Sequence, residues 1–376
     1  MKSQTMDLQC GYYVHVPFCR QRCHYCHFDI KVLHPQSNAS EWLKQYETHL
    51  LQEMQHLAMQ YSGWELQSIY FGGGTPSRLG TESLVRILEA LKGHHRLLPN
   101  CEISLEINPD DIEDLDFERL IHAGFNRVSL GVQTFHDPSL LAIRRPHSGQ
   151  QAHKALTKVP AFPRGRSFDL MLGLPHQTLQ SLENDLIAIE TLGFEHVSLY
   201  MLERDLPSPI DKQANLLPSE DQQAEWYEFC QAKLDSMGLI AYEISNFART
   251  DFQSIHNLNY WNCGNYLAVG PAAHGQIGNL HYQNEADLSR WMELVRQYGS
   301  GIVQREQWDS HRLNSEKKIQ GLRRETGIPL SWLSESEMSR LNPFLSGKLL
   351  EVRHDSICLT LRGKLLANEI FEIFLA

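Results

Sequence analysis

The sequence predicts an α/β fold: a partial (β/α)6 barrel followed by a small α+β domain. Strand-like and helix-like segments alternate through the first two thirds of the chain, the pattern of parallel α/β folds. Six strand segments are found rather than eight, which leaves a barrel open on one side. Beyond about Ile240 the alternation stops. Alternation alone does not separate a partial barrel from an open doubly wound sheet. The chain divides into a barrel at 1–240, a connecting segment at 241–312 and a small domain at 313–376.

Tyr12–Val16 is the first strand and runs into a cysteine-bearing loop. The helix over Glu41–Tyr61 follows from Trp42, Leu43, Tyr46, Leu50, Met54, Leu57 and Tyr61, spaced in threes and fours. Gln67–Phe71 is the second strand, and Thr81 the expected N-cap of the helix after it. Glu102–Ile107 alternates strictly, with Ile103, Leu105 and Ile107 on one face. A helix over Asp116–Ala123 leads to strands at Arg127–Gln133, Arg166–Met171 and His196–Tyr200. Strands three to six turn apolar residues one way and small or polar residues the other, near their C-terminal ends, where barrels collect reactive groups. Tyr242–Asn284 is rich in Asn, His, Gly and aromatics and shows no long helical period. The last domain reads as helices over Ser315–Thr326 and Leu330–Arg340, a hairpin over Leu349–Leu361 and a closing helix over Lys364–Phe374, an order similar to a winged helix.

The chemistry concentrates in Cys19, Cys23 and Cys26, spaced CX3CX2C. Three thiolates on one loop suit three irons of a [4Fe-4S] cluster and leave the fourth iron open to a small molecule. Zinc is the alternative, with His24 or His27 completing the site. Gly72-Gly73-Gly74 follows a strand, so backbone there can approach a ligand closely. His256, Tyr260 and Trp261 offer an imidazole, a phenol and an indole; on residue types alone they make a packed loop.

Tyr13 to Cys26 resembles the opening of the radical SAM superfamily members similar to oxygen-independent coproporphyrinogen III oxidase. Similar blocks recur at Gly72–Ser77, Glu106–Pro109, Gly131–Phe135, Asp169–Pro175 and Tyr242–Ala248. His256-Asn257-Leu258-Asn259-Tyr260-Trp261 resembles the HNxxYW motif of the haem-chaperone (HemW-type) branch. The resemblance implies a (β/α)6 radical SAM barrel. It implies S-adenosylmethionine held by Gly72, Gly73, Gly74, Thr75, Glu106, Gln133, Arg145 and Asp169, with Tyr13 and Tyr25 shielding the cluster. It implies haem held by His256, Asn257, Tyr260 and Trp261, with His256 or Tyr260 at the iron and His274 competing.

No catalytic residue is assigned. The expected role is delivery of haem to acceptor proteins, membrane-bound respiratory proteins among them, with the cluster and its cofactor gating transfer or dimerisation. Oxidative decarboxylation of coproporphyrinogen III is the alternative. Against it, Phe28 stands where the oxidase branch carries a further cysteine, and only 18 residues precede Cys19. The family pattern is broken at His176 and Arg144, where glycine is usual, and at Asp205 and Ser208 within Leu202–Ile210.

Composition sets the outer limits. Hydrophobic residues at 42% and charged residues at 21% fit a soluble globular chain. A net charge of −11 argues against a nucleic-acid partner. The eight cysteines form no disulfide framework and fit a reducing cytoplasm, with contact at a membrane surface at most peripheral. Met1–Gln9 is polar, and no run reaches the ~18 apolar residues of a spanning helix.

Overall fold

A computed structural model describes residues 8–33, 38–204 and 206–375. The polar start, apart from Leu8 and Gln9, and the departure at Asp205 lie outside the described residues.

The six expected strands are the centre of one twelve-stranded sheet. In chain order the strands are β1 (Gln9–Val16), β2 (Phe18–Cys19), β3 (Lys31–Val32), β4 (Glu65–Gly73), β5 (Arg96–Ile107), β6 (Arg127–Gln133), β7 (Arg166–Leu172), β8 (His196–Met201), β9 (Ile240–Ala241), β10 (Asn246–Ala248), β11 (Tyr266–Val269), β12 (His274–Ile277), β13 (Leu280–Asn284) and β14 (Ile302–Gln307). The neighbours β1, β4, β5, β6, β7 and β8 pair in parallel, in that order. β10 and β9 extend the sheet beyond β8, while β11 to β14 extend it beyond β1. Residues 246–307 therefore flank both open edges of the barrel. β2 and β3 pair with each other and clamp the base of the cysteine loop.

The two faces of the sheet explain its placement. Tyr12, Val14, Ile69, Phe71, Leu105, Leu130, Phe168 and Leu199 are buried beneath the outer helices, the first of which spans Ala39–Gln60. The inner face is polar and still largely buried: Ser68, Glu102, Ser104, Ser129, Gln133, Ser167, His196 and Ser198. Buried polar groups need partners. At the N-terminal end of the barrel the chain supplies them itself. His196 bonds Ser167 and the Tyr242 hydroxyl, at 2.7 and 2.9 Å. Glu102 accepts from Ser254 Oγ and from the backbone of Ile255 and His256. That end is sealed, and the opening lies at the C-terminal ends of the strands.

One buried carboxylate ties the outer helix to the strand extension. Glu53 accepts from the Gly270 and Gly301 amides at 2.8 and 2.7 Å, and from Asn284 and the Trp291 indole at 3.0 and 3.2 Å.

The last domain has its own core around Leu322, Ile328, Leu341, Ile357 and Phe374. Its small sheet adds β15 (Ile328–Pro329), β16 (Leu350–Arg353) and β17 (Ser356–Leu359). Three local expectations change. The helix after β4 starts at Gly80, and the Thr81 hydroxyl accepts from the Asp116 amide instead of capping. The Leu330–Arg340 helix divides into a 3-10 turn, Leu330–Trp332, and a helix, Glu335–Ser346, restarted by the Ser334–Glu337 capping box. The closing helix is interrupted at Leu366.

Candidate functional site

The cysteine loop lies over the C-terminal ends of the strands and is held from several sides. Arg22 donates to the carbonyls of Cys26 and Phe28 at 3.2 and 3.0 Å. The His24 amide reaches the Ile143 carbonyl at 3.1 Å. Cys19 Sγ lies 3.3 Å from Thr75 Oγ1, which also accepts from Asn108 at 2.9 Å. Arg145 places a guanidinium nitrogen 3.6 Å from Cys23 Sγ and another 2.9 Å from Asn108 Oδ1. All three cysteines line one cavity of about 430 Å3, with Tyr25, Gly73, Gly74, Thr75, Glu106, Gln133, Arg145 and Asp169.

The cavity suits a cluster with a polar small molecule. A Cβ on Gly74 would lie 2.9 Å from the Phe18 carbonyl oxygen and 3.1 Å from Cys19 Sγ, so only glycine lets the strand end meet the loop. Gln133 Oε1 and Arg145 Nε are buried without a partner among the described residues, one an acceptor and one a donor left for a ligand. Gln133 takes a left-handed φ of 73° to face the cavity. Among the described residues no three His, Cys, Asp or Glu groups converge as a single ion requires. Thiolates serving three different irons need no such convergence.

The cavity also holds two carboxyls. Burial, with Asp169 nearby, pushes Glu106 up to about 8; Tyr70 donates to it at 2.8 Å. Burial pushes Asp169 up to about 6, opposed by Ser129, which donates at 3.0 Å. A cationic ligand would favour both ionised forms. Burial pushes the Cys19 thiol up to about 12 against its hydrogen bond to Thr75.

A second cavity, about 560 Å3, adjoins the first and shares His27 and Phe28 with it. Its lining includes Tyr13, His15, Tyr260, Trp261, Tyr266, His274, His281 and Trp308. HNxxYW forms a helix, Ile255–Trp261, N-capped by Ser254 and anchored by Glu102. His256 is buried inside the barrel, and Tyr260 and Trp261 reach the second cavity.

Four expected ligand residues, Tyr13, Gly72, His256 and Asn257, do not line the cavity expected of them. Tyr13 lines the second cavity; it is on the inner face opposite Tyr70, its ring 6.3 Å from that of Tyr70, which donates to Glu106. Gly72 makes room for aromatic rings: a Cβ there would meet Tyr70 at 2.9 Å and Tyr13 at 3.1 Å. The backbone amide of Asn257 completes the Ser254 cap at 3.3 Å. Asn108, which joins Thr75 to Arg145, was not singled out by sequence reasoning, although it stands in the Glu106–Pro109 block.

Residues 13–189 match the family described as the Radical SAM superfamily. The chain is 34% identical to Heme chaperone HemW of Bacillus subtilis, over 96% of this chain and 98% of that one. It is 35% identical to the Bos taurus Radical S-adenosyl methionine domain-containing protein 1, mitochondrial, over 84% and 73%. Among solved structures, coproporphyrinogen III oxidase (HemN) from Escherichia coli, a radical SAM enzyme, is similar with a TM-score of 0.83 at 24% identity, over 97% and 90%. The chain belongs to the radical SAM superfamily and, within it, to the family of the Heme chaperone HemW proteins.

Proposed function

We propose that this protein is a haem chaperone: it takes up haem and delivers it to acceptor proteins. The likeness to Heme chaperone HemW over nearly the whole of both chains carries this reading. In it, Cys19, Cys23 and Cys26 hold a [4Fe-4S] cluster, and S-adenosylmethionine occupies the 430 Å3 cavity beside them. A cluster of this kind supplies one-electron chemistry when bound. The protein's own residues bind and orient: Arg145 offers a planar cation to a carboxylate, while Glu106 and Asp169 offer acceptors to cationic or hydroxyl groups. The adjoining 560 Å3 cavity, walled by Tyr260 and Trp261, takes haem as cargo.

The same reading sets the work in a reducing cytoplasm, where eight free cysteines are at home, with haem handed over at a membrane surface and a homodimer as a working form. Among the described residues no helix is long and apolar enough to cross a membrane. A haem titration of the anaerobically reconstituted chain tests the proposal. One equivalent bound, and transferred to an apo-acceptor, is the expected result; nonspecific uptake without saturation would overturn it.

A further inference from the structure

The two motif residues expected at the haem iron are already engaged. His256 is 1% exposed; its Nδ1 lies 2.8 Å from Ser68 Oγ and its Nε2 2.8 Å from the Tyr260 hydroxyl. Its ring is stacked 5.0 Å from Tyr70. Whichever tautomer is present, a lone pair for iron would cost a buried hydrogen bond. The same bond occupies the Tyr260 hydroxyl, and burial holds that phenol protonated, its pKa well above the usual tyrosine value.

The second cavity offers other imidazoles. In the β12–β13 ladder His281 stands opposite Gln276 and His274 opposite Gln283, while Tyr266 of β11 stands opposite Gln276. Opposed side chains share a sheet face, so Tyr266, His274, Gln276 and His281 form one surface, and all four line the cavity. His281 is the best placed of them. Its ring is stacked on Trp308, with centroids 3.2 Å apart and planes 17° apart, which fixes its orientation. Its Nε2 is buried and has no hydrogen-bond partner among the described residues. An unpaired buried nitrogen costs about 1–3 kcal/mol, and a metal satisfies it. The His15 ring is wedged against Gly73, where a Cβ would come within 2.7 Å of it. His274 is exposed.

Resting on the haem-chaperone reading, we infer that His281 is the iron ligand of the haem this protein takes up, and that His256 is a positioning residue that holds Tyr260 against the cavity.

The test uses the full chain, anaerobically reconstituted and titrated with ferric haem, with H281G, H274A and H256A beside wild type. Each variant is first checked by circular dichroism. Electron paramagnetic resonance and resonance Raman spectra report the ligand. In H281G the imidazole-ligated signature should vanish, affinity should fall about tenfold or more, and free imidazole should restore the spectrum. H256A should keep the wild-type signature with weaker binding. The assignment is overturned if H281G keeps the wild-type spectrum, if H274A or H256A loses it instead, or if wild-type haem shows no nitrogen ligand. Should wild type fail to bind one equivalent of haem, the chaperone reading itself falls.

Discussion

Arg20, inside the cysteine loop, donates to Asp111 at 2.9 Å and so fastens the loop to the turn after β5. Asp111 is 1% exposed and also accepts from Arg78 and Ser77, each at 3.0 Å. Asp111→Ala strands the Arg78 cation and removes one of the three carboxylates that hold Arg20, leaving Asp110 and Asp114, at a cost of about 3 kcal/mol. The expected result is a lower melting temperature and less iron and sulfide per chain after reconstitution. Wild-type iron content in this variant would show that the loop is held without Asp111.

Glu106 sets a pH dependence. Its folded pKa, pushed up to about 8, lies above the ordinary 4.5, so the folded state keeps the proton longer than the unfolded chain. Between those values the unfolded state binds fewer protons, and stability falls as pH rises. Asp169, pushed up to about 6, acts in the same direction over a lower range. Melting of the apoprotein from pH 5 to 8 should show a decline that Glu106→Gln flattens. A decline unchanged in the variant would assign it to other groups.

Arg144 and His176, at positions where the motif resemblance leads one to expect glycine, both take left-handed backbone, at φ 60° and 61°. A side chain there carries about 1 kcal/mol of strain. Arg144→Gly and His176→Gly should each recover about 0.5 kcal/mol, net of the extra freedom that glycine gives the unfolded chain. Denaturant titration measures this; destabilisation by either variant would mean that its side chain outweighs the strain.

Glu53 gathers four donors, and burial pushes its carboxyl up to about 7 despite them. Glu53→Ala leaves those donors unpaired and should cost of the order of 3 kcal/mol. Because two of them, Gly270 and Asn284, belong to the β11–β13 region, haem affinity should fall along with stability. Hydrogen exchange confined to other segments would contradict that link.

The barrel strands were legible because one face of each is apolar and meets helices: Ile103, Leu105 and Ile107 on β5, Val128, Leu130 and Val132 on β6. β11 to β14 were not. They are four to six residues long, and their cavity face carries His274, Gln276 and His281, which breaks the apolar alternation that signals a strand. The cysteine loop and its cavity followed from spacing and motif blocks. Tyr13 shares the inner face with Tyr70 and Glu106 yet lines the neighbouring cavity, and a motif gives sequence neighbours without showing which cavity a ring lines. Thr81 resembled a cap, and only the fold reveals the Asp116 amide that takes its hydroxyl.

The most direct measurement combines the haem titration with coproporphyrinogen III turnover on one anaerobically reconstituted sample. The haem-chaperone reading predicts one equivalent of haem bound and no protoporphyrinogen formed. Turnover accompanied by weak, unsaturable haem uptake would contradict it, and would make the helix Ile255–Trp261 a structural element of an oxidase.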